Sequence, residues 1–487
     1  MGANTTGASA AIFDNEIKGF SIDSRSIEAG ELFFALSQED YSRAGFNGEF
    51  VDGHRFIPEA FARGAIAAVA RIDHVRESES LGAWAERLLL VEDAIAALQT
   101  LARRVYESWA RPVIAITGSA GKTTTKDLTA HILSATGRRV LKSERNYNNG
   151  LGLPLAVLQM VSGGRSPEQF DLAVLEMGMS SPTGEIARLV KITPPDIGVE
   201  LLVAPVHLEY LGTIENIAKA KAELVQGLKP GGTAVLNADD PLVIKMRGLH
   251  EGPVLTFGLE NEPDVTALSI DTSRFGESRF RLRTPLGESR ARLPMAGHHN
   301  LMNALAAASV ATCLQISPAE IAGALESVKP PRMRGEVLDF AAGFTVVDDS
   351  YNSNPRSLLS MARTIAETEA ASARRRIIIA GEMLELGPES SRMHRETGGE
   401  IARLGIDLLW GVRGHALEMI EGALMSGMKE ETTRFFESSE EAARALLDVI
   451  GEGDLVLVKG SRGVRTDVVV SALRERFAPV GTDERLS

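Results

Sequence analysis

From Pro112 onward, the apolar runs Val113–Thr117, Leu172–Met177, Asp196–Val203 and Thr233–Asn237 lack the strict alternation of a strand with one wet face. Uninterrupted apolar runs bounded by turn residues predict strands buried on both faces, as in a parallel sheet covered by helices. The segments between them return apolar residues at helical spacing, and strands alternating with helices predict a doubly wound α/β unit. Before Pro112 the runs are shorter, Glu31–Leu36 and Arg87–Val91, with turn-rich and helical stretches such as Asp52–Gly64 between them. A small α/β domain is predicted there.

A helical pattern ends at Lys329, Pro330 and Pro331, where two prolines stop a helix. A fresh series of runs follows: Phe344–Asp348, Arg376–Ala380, Asp407–Val412 and Asp454–Lys459. The pattern therefore divides the chain into three α/β parts, residues 1–110, 111–330 and 331–487, with a mostly parallel sheet in the central one. The acidic stretch Glu437–Glu441 reads as the solvated start of a helix.

The length of 487 residues agrees with three domains at roughly 150 residues each. Against 52 Lys and Arg stand 65 Asp and Glu, a net charge of −13, which argues against a nucleic-acid partner or an anionic membrane surface. Cys313 is the single cysteine, so neither an internal disulfide nor a cysteine-based zinc site is available, and a reducing cytosol is expected. No run approaches the roughly 18 apolar residues of a membrane span, and Met1–Glu16 lacks the basic start and apolar stretch of a signal peptide. The expectation is a cytoplasmic monomer without membrane insertion.

The sharpest chemical signal is Val113-Ile-Ala-Ile-Thr-Gly-Ser-Ala-Gly-Lys-Thr-Thr-Thr125, an apolar strand running into a Gly-rich turn and then a helical pattern. Gly118 and Gly121 allow the backbone to approach a phosphate closely, so that successive N–H groups, with that of Ser119, surround its oxygens. Lys122 adds a point charge, Thr123 a hydroxyl for Mg²⁺, and the helix start its positive dipole end. The spacing departs from Gly-x-x-x-x-Gly-Lys, because position 116 is Ile116. A tight turn with an exposed lysine is the plainer alternative.

Mg²⁺ takes hard oxygen ligands. Glu176 ends the run Leu172-Ala-Val-Leu-Glu176 and so falls at the carboxyl edge of a strand, where open α/β sheets bind ligands. His207 follows another strand. Each alone is ambiguous; with the loop they point to a nucleotide–metal site.

The ordered set of motifs resembles the Mur ligases, ATP-dependent amide-forming enzymes of peptidoglycan precursor synthesis. It runs through Asp23-Ser-Arg25, Asp52-Gly-His54, the Thr-Gly-Ser-x-Gly-Lys-Thr-Thr loop, Asn146-Tyr-Asn-Asn149, Glu176-Met-Gly178, His207-Leu-Glu209 and Ala220-Lys-Ala-Glu223. It continues through His299-Asn-Leu-Met-Asn303, Arg334-Gly-Glu336, Asp348-Asp-Ser-Tyr-Asn-Ser-Asn-Pro355, Gly381-Glu-Met-Leu-Glu-Leu-Gly387 and Lys459-Gly-Ser-Arg-Gly463. Within the family, the last motifs are similar to those of the member that joins D-alanyl-D-alanine to UDP-N-acetylmuramoyl-tripeptide through an acyl phosphate. The Asp-Asn-Pro-Arg signature of the tripeptide-forming sister is absent from the sequence. The resemblance implies an N-terminal domain for the UDP-sugar, a central one for ATP and a C-terminal Rossmann-like one for the acceptor.

Carried over residue by residue, the resemblance puts Lys122 on the β and γ phosphates, with Thr124 beside it, and Thr123 and Glu176 on one Mg²⁺. His207 would hold a second Mg²⁺. Lys221 stands where several members carry an N-carbamylated lysine, an anion able to help hold that metal; an ordinary surface lysine is the alternative. Asn300 matches the asparagine that reads adenine, while Asn303 supports the helix. Arg334 and Asp349 match residues that reach back to the nucleotide. Asn352, Asn354 and the Lys459-Gly-Ser461 loop are contacts for the dipeptide, with Lys459 or Arg462 meeting its carboxylate. Ser24 and Arg25 face uridine, and Asn149, Ser180 and Thr183 line the sugar–peptide channel. Outside this reading stand a sister Mur ligase, a folate-polyglutamate type ligase and, from another class, a P-loop NTPase switch.

Overall fold

The computed structural model describes residues 16–46, 49–77, 79–144, 147–179, 184–205, 211–272, 276–329, 332–367 and 373–480. The described residues pack as two compact units and carry three sheets, mostly parallel. One unit comprises the described parts of 1–118, 129–203 and 218–255; the other comprises those of 119–128, 204–217 and 256–487.

In the first unit, strands β1 (Gly19–Ser21), β2 (Glu31–Phe34), β3 (Ala67–Arg71) and β4 (Leu88–Val91) form a parallel sheet in that order. Ile27, Phe33, Ile57, Phe61, Ala68, Ala70 and Leu88 pack into one core beneath it. The same unit holds β5 (Val113–Thr117), β6 (Val140–Lys142), β7 (Leu172–Glu176), β8 (Ile197–Glu200) and β9 (Thr233–Asn237). They lie parallel in the order β6-β7-β5-β8-β9. All five residues of both β5 and β7 are buried, which is why those runs lack alternation. Because the chain runs from β5 past β7 to β6 on one side and from β7 past β5 to β8 on the other, the carboxyl ends of β5 and β7 border a topological switch point, the place where such sheets bind ligands.

In the second unit, Phe257 and Gly258 at the end of β10 (Val254–Gly258) pair with Val265 and Thr266 of β11 (Val265–Asp271). β11 then continues antiparallel through β12 (Ser278–Thr284) and β13 (Gly287–Leu293). This antiparallel ribbon is an addition to the expected parallel pattern. Along β12, Phe280 and Leu282 are buried while Arg279 and Arg281 are exposed, the period-two pattern of a half-exposed strand.

The last sheet contains β14 (Glu336–Asp339), β15 (Thr345–Asp349), β16 (Arg375–Gly381), β17 (Leu408–Val412), β18 (Thr433–Phe436) and β19 (Asp454–Lys459). Their order is β14-β15-β19-β16-β17-β18, with only β14 antiparallel. Val346, Ile377, Ile379, Val456 and Val458 pack into the core on one face, and Val347, Ile378, Ala380, Leu455 and Leu457 into the core on the other. Burial on both faces again explains the uninterrupted apolar runs. The late return of β19 between β15 and β16 makes this carboxyl edge a second switch point. The acidic stretch near Glu437 opens the helix Ser439–Val449, capped by Ser438 and carrying Glu440 and Glu441 in its first turn.

Candidate active site

At the end of β5 the backbone turns through Gly118 at φ +153° and Gly121 at φ +84°. Both values lie where a side chain is disfavoured, which is the conformational reason for glycine at these two places. The helix Lys122–Ala135 opens directly after the turn, so Lys122, Thr123 and Thr124 occupy its first turn, with Thr124 buried. Ser119 uses its hydroxyl locally: Oγ donates to Ala204 O at 3.1 Å and accepts Ala204 N–H at 2.9 Å. Thr125 donates to Asn303 Oδ1 at 3.3 Å, which ties the phosphate-loop helix to the helix His298–Cys313. Asn303 thus accepts from the phosphate-loop helix, in keeping with the supporting role the resemblance implies.

Glu176 ends β7 in register with Ile116 of β5, one strand away from the exit that leads to Gly118. Its side chain is buried, and Oε1 accepts from Asn148 Nδ2 at 2.8 Å. The Asn148 carbonyl accepts the Gly178 N–H at 2.7 Å, and a Cβ at Gly178 would come within 2.9 Å of the Asn148 side chain. Asn148 therefore orients the carboxylate, a role that sequence reasoning did not give it. The neighbouring Asn149 caps instead, its Oδ1 accepting N–H groups of Leu151 at 3.1 Å and Gly152 at 2.8 Å. A buried strand-end carboxylate is a hard oxygen donor of the kind Mg²⁺ takes.

Lys221 lies buried on the helix Ile214–Gln226, which excludes the ordinary surface lysine. Two residues on, the Glu223 carboxylate accepts N–H groups of Gly184 (Oε1, 2.5 Å) and Ala187 (Oε2, 2.9 Å), capping the helix Glu185–Ile192. Ser180, Thr183 and His207 lie outside the described residues.

Toward the N-terminus, Asp23 caps the short helix Ser24–Ser26 and binds the Arg25 guanidinium at 2.9 and 2.7 Å. That pairing draws the Asp23 carboxyl below the usual carboxylate range. Arg25 is largely exposed, whereas Ser24 is buried and donates to Glu59 Oε2 at 3.4 Å.

In the second unit, Asn300 is buried and its Nδ2 donates to Ala296 O at 2.7 Å. Gly335, at φ +76°, passes so close that a Cβ there would stand 3.3 Å from that nitrogen. Arg334, another predicted nucleotide residue, adjoins Gly335 in the sequence. The Arg334 guanidinium lies over the Tyr351 ring, 4.0 Å from its centroid. Tyr351, whose N–H donates to Met333 O at 3.1 Å, was not among the sequence candidates, although the Asp-Ser-Tyr-Asn motif contains it.

At the carboxyl edge of the last sheet, Lys459 lies in register between Asp349 of β15 and Ala380 of β16. Its Nζ donates to Asp349 Oδ2 at 2.6 Å and to Asn352 O at 2.9 Å, and both side chains of the ion pair are buried. The cation predicted for the dipeptide is thereby committed to the predicted nucleotide residue. Arg462, in the adjoining loop, has a largely exposed side chain and pairs with Asp467 Oδ2 at 3.3 Å. Ser461 Oγ accepts Leu384 N–H at 2.9 Å and donates to Ser353 O at 3.5 Å, joining the loops that follow β15, β16 and β19. Asn354 caps the helix Pro355–Ala366, and Asn352 is exposed. Two buried hydroxyls in these loops, Ser353 Oγ and Thr466 Oγ1, lack a hydrogen-bond partner among the described residues. Such orphans are uncommon in a closed core and mark a place where a polar ligand group can bind. His299 feels the Lys459–Asp349 pair, and burial together with the Lys459 charge holds its pKa down at about 4, against the pull of Asp349.

Three family models match consecutive stretches: "Mur ligase family, catalytic domain" over residues 16–106, "Mur ligase middle domain" over 116–311 and "Mur ligase, glutamate ligase domain" over 333–462. A UDP-N-acetylmuramoyl-tripeptide–D-alanyl-D-alanine ligase of Bacillus subtilis (strain 168) is 32% identical over 459 residues, 94% of this chain and 93% of that one. Among solved structures, MurF from Acinetobacter baumannii superposes with a TM-score of 0.81 at 30% identity over 94% of each chain. A MurF ligase from Thermotoga maritima in complex with ADP gives 0.78 at 27% identity, over 94% of this chain and 97% of that one. Motif order, phosphate-loop geometry and these likenesses over nearly the full length agree: the chain belongs to the Mur ligase family.

Proposed function

We propose that the chain is an ATP-dependent ligase that joins D-alanyl-D-alanine to UDP-N-acetylmuramoyl-tripeptide, forming the pentapeptide precursor of peptidoglycan. The observation that carries this reading is the phosphate loop, with Gly118 and Gly121 at positive φ before a helix that opens on Lys122, in a chain alike over nearly its full length to ligases with this activity.

An amide does not form from a carboxylate and an amine in water without activation. The terminal carboxylate of the tripeptide attacks the γ phosphorus, ADP leaves, and an acyl phosphate forms. The dipeptide amine then attacks the acyl carbon, loses a proton, and inorganic phosphate departs. Lys122 and the loop amides neutralise charge on the transferring phosphoryl group, the dominant requirement of such chemistry. Thr123 and Glu176 would hold one Mg²⁺, and His207 with a carbamylated Lys221 a second; when bound, these ions would supply further charge neutralisation. Asn300 contacts the base, and Arg334 with Asp349 faces the nucleotide. Lys459 acts through Asp349, so the dipeptide carboxylate is assigned to Arg462, with Asn352, Asn354, Ser353 and Ser461 around it. Ser24 and Arg25 are assigned to uridine, and Asn149, Ser180 and Thr183 to the sugar–peptide channel. Residues 1–110, 111–330 and 331–487 accordingly take UDP-sugar, ATP and acceptor.

No helix among the described residues is long and apolar enough to cross a membrane. The substrates are small and water-soluble, which fits a cytoplasmic monomer without a nucleic-acid partner. The test is ADP release from ATP in the presence of UDP-N-acetylmuramoyl-tripeptide. Release should require D-alanyl-D-alanine; full-rate release with no acceptor would refute a ligase, and release with a single amino acid would assign a sister activity.

A further inference from the structure

The turn after β16 is held by more than its own sequence. Met383 and Leu386 are buried, while Leu384 and Glu385 between them are exposed, so two apolar anchors bracket a projecting tip. The Met383 N–H donates to His394 Nε2 at 2.9 Å, and the Leu384 N–H donates to Ser461 Oγ at 2.9 Å. His394 stands one turn into the helix Ser390–Arg403 and is fully buried. Since Nε2 accepts, the proton of the neutral ring resides on Nδ1, which donates to Ser390 O at 2.7 Å. An imidazolium would set N–H against N–H at Met383, and burial holds the His394 pKa below its ordinary value, in favour of the neutral ring. The Glu382 carboxylate accepts His415 N–H at 3.1 Å, a third fastening of the same turn.

We propose that His394 is a positioning residue for the acceptor: through Met383 N–H it fixes the Leu384–Glu385 tip against Ser461, so that Leu384 presents an apolar surface to the methyl groups of the dipeptide. This rests on reading the carboxyl edge of β15, β19 and β16 as the acceptor's seat. His394 itself touches no substrate, so its loss weakens dipeptide binding and leaves the two other substrates alone.

The test compares His394→Phe, which keeps the ring and removes the acceptor nitrogen, with His394→Gln, which keeps an acceptor at similar reach. His394→Phe should raise the KM for D-alanyl-D-alanine about tenfold, equivalent to about 1.4 kcal/mol. The KM values for ATP and the UDP-tripeptide should stay within about twofold, and His394→Gln should recover most of the loss. An unchanged dipeptide KM, or equal shifts for all three substrates, would overturn the proposal. Should His394→Phe not fold, ¹⁵N NMR of the histidine-labelled wild-type protein decides. An unprotonated Nε2 whose signal moves on adding dipeptide but not ATP supports the proposal; a protonated Nε2, or a signal unmoved by dipeptide, refutes it. If instead the wild-type enzyme does not use D-alanyl-D-alanine at all, the functional assignment fails, a result separate from any His394 variant.

Discussion

Lys459 and Asp349 form a buried ion pair, Nζ to Oδ2 at 2.6 Å, across the adjacent ends of β19 and β15. One residue was expected at the acceptor and the other at the nucleotide; the pair joins them in a single electrostatic unit. Removing one member strands a charge away from water, which costs about 3 kcal/mol or more. Lys459→Met should lower the unfolding free energy by that order in urea denaturation. Adding Asp349→Asn should restore at least half of it, and purely additive losses would refute the pairing.

His299 gives a dependence on acid pH. Its folded pKa, about 4, lies below the ordinary histidine value of about 6.5, so the unfolded chain binds its proton first as the pH falls. The stabilisation is present above pH ~6.5 and is lost as pH falls through that value toward 4. Burial lowers the pKa values of His54 and His394 in the same direction. Urea midpoints should therefore drop between pH 7 and 5, and His299→Asn should reduce the slope.

Gly335 passes Asn300 at φ +76°, where a Cβ would stand 3.3 Å from the asparagine Nδ2 and push it by a few tenths of an ångström. Gly335→Ala should cost about 1 kcal/mol in stability from the left-handed backbone. It should also raise the KM for ATP about tenfold by displacing the asparagine amide. A normal KM for ATP would separate Asn300 from the nucleotide.

Lys221 is buried on the helix Ile214–Gln226, at the position where several Mur ligases carry a carbamate. Lys221→Ala should abolish ligase activity, and added short carboxylic acids should restore part of it if a carbamate occupies this place. Absence of rescue would assign the residue a cationic role.

Burial pushes the Cys313 thiol up to about 12. Its alkylation at pH 8 should be on the order of a thousandfold slower in the native protein than in urea, because the thiolate is the nucleophile. Rapid native labelling would show that the end of the helix His298–Cys313 opens.

The elements that could be read in advance are those whose signal is local. The strand Val113–Thr117 has the predicted bounds, and so has Asp454–Lys459, because a strand buried on both faces must be apolar throughout. Gly118 and Gly121 were readable for a related reason: their backbone angles demand glycine. The ribbon β11–β13 carries its own signal in the alternation of arginine with Phe280 and Leu282, the mark of a half-exposed strand. Asn148 was indistinguishable from Asn149, since adjacent asparagines differ only in what the fold places opposite each. Glu176 faces one, and the N-terminus of the helix Gly152–Leu158 faces the other.

The sequence by itself determined the α/β class, the order of the motifs, the phosphate loop and the family, all of which follow from residue type and short spacing. Only the tertiary structure decided the pairings: Lys459 with Asp349, Arg334 over Tyr351 and His394 beneath Met383. These join residues 110, 17 and 11 positions apart. The physical reason is that side-chain reach is a few ångströms, and the packing of strands and helices chooses which distant groups come within it.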